Sequence, residues 1–186
     1  WLTGVKGALF FAANDNVTGY ELWKSDGTPT GTVQIKDLRP SSASSSPGSL
    51  TNVNGALFFA ADDGVSGREL WKSDGTEQGT VLVKDINPGI GSSSPLSMTS
   101  VAGLLFFAAN DGSSGVELWQ SDGTFTGTVQ VKDINPGSGS SYPSKGVLVD
   151  QVLFFVADDG VTGAELWALP VGERYRVYLP VVLRQW

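Results

Sequence analysis

One ruler of 48 residues governs this chain. Glu-Leu-Trp recurs at Glu21-Leu22-Trp23, Glu69-Leu70-Trp71, Glu117-Leu118-Trp119 and Glu165-Leu166-Trp167. A Phe pair keeps the same step at Phe10-Phe11, Phe58-Phe59, Phe106-Phe107 and Phe154-Phe155. So do Ser-Asp-Gly-Thr, from Ser25, Ser73 and Ser121, and Lys-Asp, at Lys36, Lys84 and Lys132. Residues 49–96 and 97–144 agree at 34 of 48 positions without a gap. Self-similarity at this period specifies a repeat architecture, in which each unit buries its apolar surface against its neighbours. The 186 residues hold four units, 1–48, 49–96, 97–144 and 145–186, the last being short at its end.

Each unit reads as four short strands. In the second, Ser49–Val53 alternates and ends at Asn54-Gly55, a hairpin signal. Ala56–Ala60, Arg68–Lys72 and Thr80–Asp85 follow, the last rich in β-branched residues. Adjacent residues of a strand point to opposite faces, so Phe58 and Phe59 ask for burial on both sides of the sheet, as do Leu70 and Trp71. A four-stranded sheet covered on both faces by copies of itself is a propeller blade, and this unit has the usual blade size. The expected fold is all-β and β-propeller-like, with four antiparallel strands per repeat. A closed ring of four blades and an arc within a larger assembly both remain open.

A hairpin centred on Thr28 and Pro29 places Glu21 opposite Lys36, and likewise Glu69 opposite Lys84 and Glu117 opposite Lys132. This predicts one cross-strand ion pair per unit. In the fourth unit Pro180 stands where the lysine belongs.

These residues resemble the ELWxxDGT repeat family, whose pattern runs through Glu-Leu-Trp, Asp-Gly-Thr, Gly-Thr and Val-Lys-Asp-Ile to Pro-Gly. Glu69–Gly89 and Glu117–Gly137 match it throughout. Glu21–Pro40 departs at Leu38, and the fourth unit has Pro170-Val171-Gly172 in place of Asp-Gly-Thr. The resemblance implies a secreted or surface-exposed bacterial protein with propeller-like repeats. It implies no defined activity and carries over no catalytic residue. The stretch Arg174–Arg184 is similar to Tyr-Leu-Pro tails of secreted bacterial proteins. Read from its position alone, Arg176–Val182 is the fourth strand of the last unit, and the apolar residues beyond it form an assembly tail.

Composition narrows the chemistry. There is no Cys and no His, so thiolate or imidazole nucleophiles, bases and metal ligands are excluded. Net charge is −7, unsuited to nucleic acid or to anionic membranes, and no apolar run reaches membrane-spanning length. Every acidic position in the units recurs by period, apart from small variations such as Glu77. A single substrate needs a single site, so the sequence reading is that the chain is not an enzyme.

The remaining candidates are loops. Asp15, Asp62, Asp63, Asp111, Asp158 and Asp159 lie in Asn/Asp-Asp turns, which could supply oxygens to Ca²⁺ or simply cap their own turns. Asp26, Asp74 and Asp122 read as turn-stabilising residues. The repeated Trp residues read as inter-blade core, with a sugar-stacking platform as the alternative. The Ser-rich stretches Ser41–Ser46, Ser92–Ser94 and Ser138–Ser141 read as solvated linkers able to carry O-glycans, and Asn16-Val17-Thr18 is an N-glycosylation sequon. The expected role is a secreted structural or adhesive repeat protein, a subunit of a cell-surface filament or layer. The alternative is a propeller module that binds carbohydrate or calcium. The chain opens at Trp1, so processing or further upstream repeats are expected. The expected partners are further copies, through the chain termini, and a surface glycan. Self-association predicts an oligomer or fibre rather than a 19.5 kDa monomer in solution.

Overall fold

The computed structural model describes residues 1–171 and 179–181. It is all-β: four separate antiparallel sheets of four strands, with no helix among the described residues. Sheet 1 holds β1 (Leu2–Val5), β2 (Ala8–Asn14), β3 (Tyr20–Ser25) and β4 (Val33–Lys36). Sheet 2 holds β5 (Gly48–Val53), β6 (Ala56–Asp62), β7 (Arg68–Ser73) and β8 (Val81–Lys84). Sheet 3 holds β9 (Leu96–Val101), β10 (Leu104–Asn110), β11 (Val116–Ser121) and β12 (Val129–Lys132). Sheet 4 holds β13 (Val147–Val149), β14 (Val152–Asp158), β15 (Ala164–Pro170) and β16 (Leu179–Val181). In every sheet the strands pair in chain order, a plain meander. The segment read as a fourth strand thus supplies β16, while the rest of the C-terminal tail lies outside the described residues.

Two-residue hairpins start each sheet. Lys6-Gly7, Asn54-Gly55 and Ala102-Gly103 all have positive φ at both positions, the geometry that matches strand twist. Only the second was legible as a turn, because Lys and Ala carry no turn signal. In sheets 1, 2 and 3 the third-to-fourth pairing contains a bulge. Leu22 faces Lys36 while Trp23 faces Gln34, so Ile35 is the extra residue, and it turns into the core.

The sheets stack face against face. Between sheets 1 and 2, Val5, Phe10, Leu22, Ile35 and Leu38 meet Leu57, Phe59, Ala61 and Trp71. The same positions recur between sheets 2 and 3 and between sheets 3 and 4. Phe58 therefore packs forward and Phe59 backward, as the two-sided strand required. The first strands β1, β5 and β9 lie along the inner side. Among the described residues the sheets do not close into a ring, and no sheet covers the outward faces of sheets 1 and 4.

The predicted ion pairs do not form, because the bulge shifts the register and the glutamates are buried. Glu21, Glu69 and Glu117 are fully enclosed and reach the linker that follows their own sheet. Glu69 accepts hydrogen bonds from the amides of Ile86 (2.9 Å) and Ser93 (2.7 Å) and from the Ser93 hydroxyl (2.5 Å). Glu21 and Glu117 repeat this with Leu38 and Ser45, and with Ile134 and Ser141. The lysines instead cross to the next sheet: Lys36 donates to the Thr80 carbonyl and Lys84 to that of Thr128.

The Ser-rich linkers are likewise not simply solvated. Ser45, Ser93 and Ser141 are buried, and their carbonyls accept the amides of Asp62, Asn110 and Asp158 in the following sheet. Each serine thus joins a glutamate of one sheet to a strand of the next, and as a buried hydroxyl it is no O-glycan acceptor.

Burial at equivalent positions predicts unequal costs of truncation. Leu57 is 0% exposed and its counterpart Leu9 is 40% exposed. Leu57→Ala should cost about 2–5 kcal/mol, and Leu9→Ala less than about 1 kcal/mol. Urea unfolding of both variants measures the difference.

Candidate functional site

The recurring polar residues form two kinds of turn. In the β7–β8 hairpin, Asp74 Oδ1 accepts the Thr76 amide (2.8 Å) and hydroxyl (2.7 Å). Thr76 Oγ1 in turn accepts the Gly79 amide, and Thr80 Oγ1 donates to the Thr76 carbonyl. A Cβ on Gly79 would fall 2.0 Å from the Asp74 carboxylate, so glycine there makes room for that oxygen. The hairpins of Asp26 and Asp122 repeat the arrangement. Asp26, Asp74 and Asp122 are therefore held below the usual carboxylate value, first by the threonine hydroxyl and then by its amide.

The second turn contains the calcium candidates. Asp15 Oδ1 accepts the amides of Val17 and Thr18 and the Thr18 hydroxyl. Asp63 binds the amides of Val65 and Ser66, Asp111 those of Ser113 and Ser114, and Asp159 those of Val161 and Thr162. The preceding side chain makes its own short turn, with Asp62 Oδ1 accepting the Gly64 amide and Asp158 Oδ1 that of Gly160. Asp62 also forms an ion pair with Arg39, at 2.8 Å. Backbone amides lower the Asp15 and Asp159 carboxyls. Partial burial pushes Asp111 up, and hydrogen bonds from Ser113 and Ser114 outweigh it. Among the described residues no three acidic side chains come together as a cation site.

The repeated tryptophans are placed as core. Trp71, Trp119 and Trp167 are buried between sheets, with no ring face left for a sugar, and Trp23 is half-buried on the outward face of sheet 1. The feature that periodicity could not show is one end of the stack. In a meander the β2–β3 type loops and the inter-sheet linkers share the end opposite to the hairpins. That end carries Val17, Val65, Ile90, Val161 and Tyr142, each at least 70% exposed. Trp1, Ser49, Ser97 and Lys145, the first residue of each unit, meet there in a cleft of about 120 Å³. This is well below the ~300–1,000 Å³ of a pocket that encloses a small molecule. The surface is suited to a broad, flat contact. Its signal in the sequence is apolar residues at positions that vary between units or lie at loop tips.

No protein-family model matches the sequence, and no curated protein matches it. Solved structures do. Puromycin hydrolase is similar with a TM-score of 0.61 at 15% identity, over 91% of this chain and 27% of that one. A prolyl endopeptidase gives 0.59 at 14% identity, over 93% and 24%. TolB from Acinetobacter baumannii gives 0.52 at 12% identity, over 94% and 41%. These are propeller proteins, and the likeness establishes a β-propeller-like fold. The chain spans about a quarter of the length of the hydrolases.

The reading that the chain is not an enzyme is corrected by these matches. Proteins named as hydrolases share its fold over part of their length. Repeat symmetry speaks only about the repeats, and reacting groups can lie elsewhere in a longer polypeptide. At this identity the likeness carries the fold and no reaction.

The two classes of carboxylate should titrate in opposite directions. Burial, the largest cause, raises Glu21, Glu69 and Glu117 above their ordinary 4.5, against the hydrogen bonds that favour the ionised form. These three gain stability for the fold as pH falls through their raised values to 4.5. Asp26, Asp74 and Asp122 contribute stability above 3.8 that is lost as pH falls below it. Carboxyl carbon shifts followed by NMR should show Glu69 titrating above 4.5 and Asp74 below 3.8. Ser93→Ala removes one donor from a buried carboxylate and should cost about 1–3 kcal/mol, measured by urea unfolding at pH 7.

Proposed function

We propose that this chain is a structural and adhesive repeat module, displayed outside or on the surface of a bacterial cell. The observation that carries this reading is the division of labour among residues. The recurring polar residues are engaged in turns, in the Glu–Ser joints and in the lysine bridges. Val17, Val65, Ile90 and Val161, among the most exposed large apolar side chains, lie instead in the loops and linker at the linker end. An apolar set rimmed by acidic turns suits contact with another macromolecule. The resemblance to the ELWxxDGT repeat family supports the extracellular setting. Four units of one design support a display role, in which one contact is repeated along the stack.

Co-sedimentation with purified bacterial cell envelopes tests the reading. The chain should pellet with the envelopes. The combined variant Val65→Asp, Ile90→Asp and Val161→Asp should pellet several-fold less while keeping its melting temperature. A chain that stays in the supernatant, or a variant that pellets equally, overturns it. Titration with Ca²⁺ separates this from a calcium-binding module, because melting should be insensitive to a chelator if the aspartates only cap their turns.

A further inference from the structure

The outward face of the first blade is the half of an interface that this chain builds three times. In the first two internal interfaces the earlier blade reaches forward with two lysines, and in the third Gln120 stands in place of the first of them. Lys24 Nζ lies 2.7 Å from the Gly75 carbonyl and Lys72 Nζ 2.8 Å from that of Gly123. Lys36 and Lys84 reach the carbonyls of Thr80 and Thr128 at 3.1 and 2.8 Å. The earlier blade also lays a Phe ring on the same glycine. A Cβ on Gly75 would meet Phe10 at 3.2 Å, and one on Gly123 would meet Phe58 at 3.0 Å.

Blade 1 presents the receiving half of this arrangement, and among the described residues nothing lies on it. A Cβ on Gly27 would meet no atom within 4 Å. Leu9 is 40% exposed where Leu57, Leu105 and Leu153 are enclosed. Phe11, Ala13 and Trp23 are half-buried where their counterparts are buried, and so is Thr32 where Thr80 and Thr128 are enclosed. No hydrogen bond joins a lysine to the Gly27 or Thr32 carbonyl among the described residues.

Blade 4 does not present the matching forward half. Ala168 stands at the position of Lys24 and Lys72, and Pro180 at that of Lys36 and Lys84. Val156 stands where Ala60 and Ala108 are wholly buried against a following blade, so its extra methyl groups would overfill that contact.

We infer that the open face of blade 1 receives a further blade of this same repeat, one bearing a lysine at the position of Lys36 and Lys84, and that blade 4 terminates the array. The array is polar. It extends from blade 1, and a second copy of this chain is not the occupant, since its free blade 4 has Pro180 in place of the lysine that the other three blades share and carries the larger valine.

The test places a copy of residues 49–96, which contains Lys72 and Lys84, directly before Trp1 in the same 48-residue phase. Hydrogen exchange then reads protection strand by strand. The β2 and β3 amides should slow by about tenfold or more, towards the rates of β6 and β7. Lys72→Ala with Lys84→Ala in the added copy should remove most of that gain. An added repeat that folds by its own protection yet leaves β2 and β3 unchanged overturns the inference. So does an added repeat that stays unfolded on an intact chain. Equal gains with and without the lysines overturn the assignment of their role. Sedimentation of the unextended chain is the second arm. Concentration-dependent association abolished by Leu9→Glu would make a second copy the occupant and overturn the inference. A species that stays monomeric supports it.

Discussion

The structure depends on strands that are apolar on both faces. A pair such as Phe58-Phe59 cannot be satisfied within one sheet, because the two rings leave it in opposite directions. Each sheet must therefore be covered twice, and the only surfaces of matching shape are its own neighbours. Face-to-face stacking, strict spacing and exposed end faces all follow from that one requirement. Apolar area removed from water is the dominant favourable term in such a stack. The burial of Leu57, Phe59 and Ala61 against the half-exposure of Leu9, Phe11 and Ala13 shows how much of each blade's packing comes from the one beside it.

Polar residues convert this stack into one geometry. The buried glutamates would be costly alone, and each is offset by two amides and a hydroxyl from the linker. That linker's carbonyl also accepts an amide from the next sheet. The glutamate, the serine and the next strand thus set where one blade ends and the next begins. The Asp-Gly-Thr turn acts at the other end of the blade. There the carboxylate occupies the space a glycine leaves, and the hairpin it closes supplies the carbonyls that the lysines of the preceding blade find. A motif that looks like a row of catalytic or metal-binding carboxylates is thereby accounted for by turn and interface chemistry.

The positions that the repeat does not constrain lie at loop tips. Val65 and Ile90 are exposed and can vary without disturbing core or turn. The same logic separates the ends of the array. Blade 4 differs from the other units where a following blade would touch it, at Val156 and Ala168, whereas blade 1 keeps the full receiving pattern.

Much was legible in the sequence by itself. The 48-residue period, the four strands per unit, the two-sided apolar strands and the burial of Trp71 and Trp119 follow from residue order, because side-chain alternation and turn chemistry are local. Tertiary structure decided what depends on register and on neighbours. The bulge at Ile35 lies one residue from where hairpin counting puts the pairing, and it sends Glu21 to the linker and Lys36 to the next sheet. The Ser-rich stretches look solvated by composition, yet Ser45 and Ser93 are buried because two sheets meet over them. Whether a blade face is covered or open is a property of the stack, since Leu9 and Leu57 occupy the same place in identical local sequence, Ala-Leu-Phe-Phe-Ala, and differ only in what stands beside them.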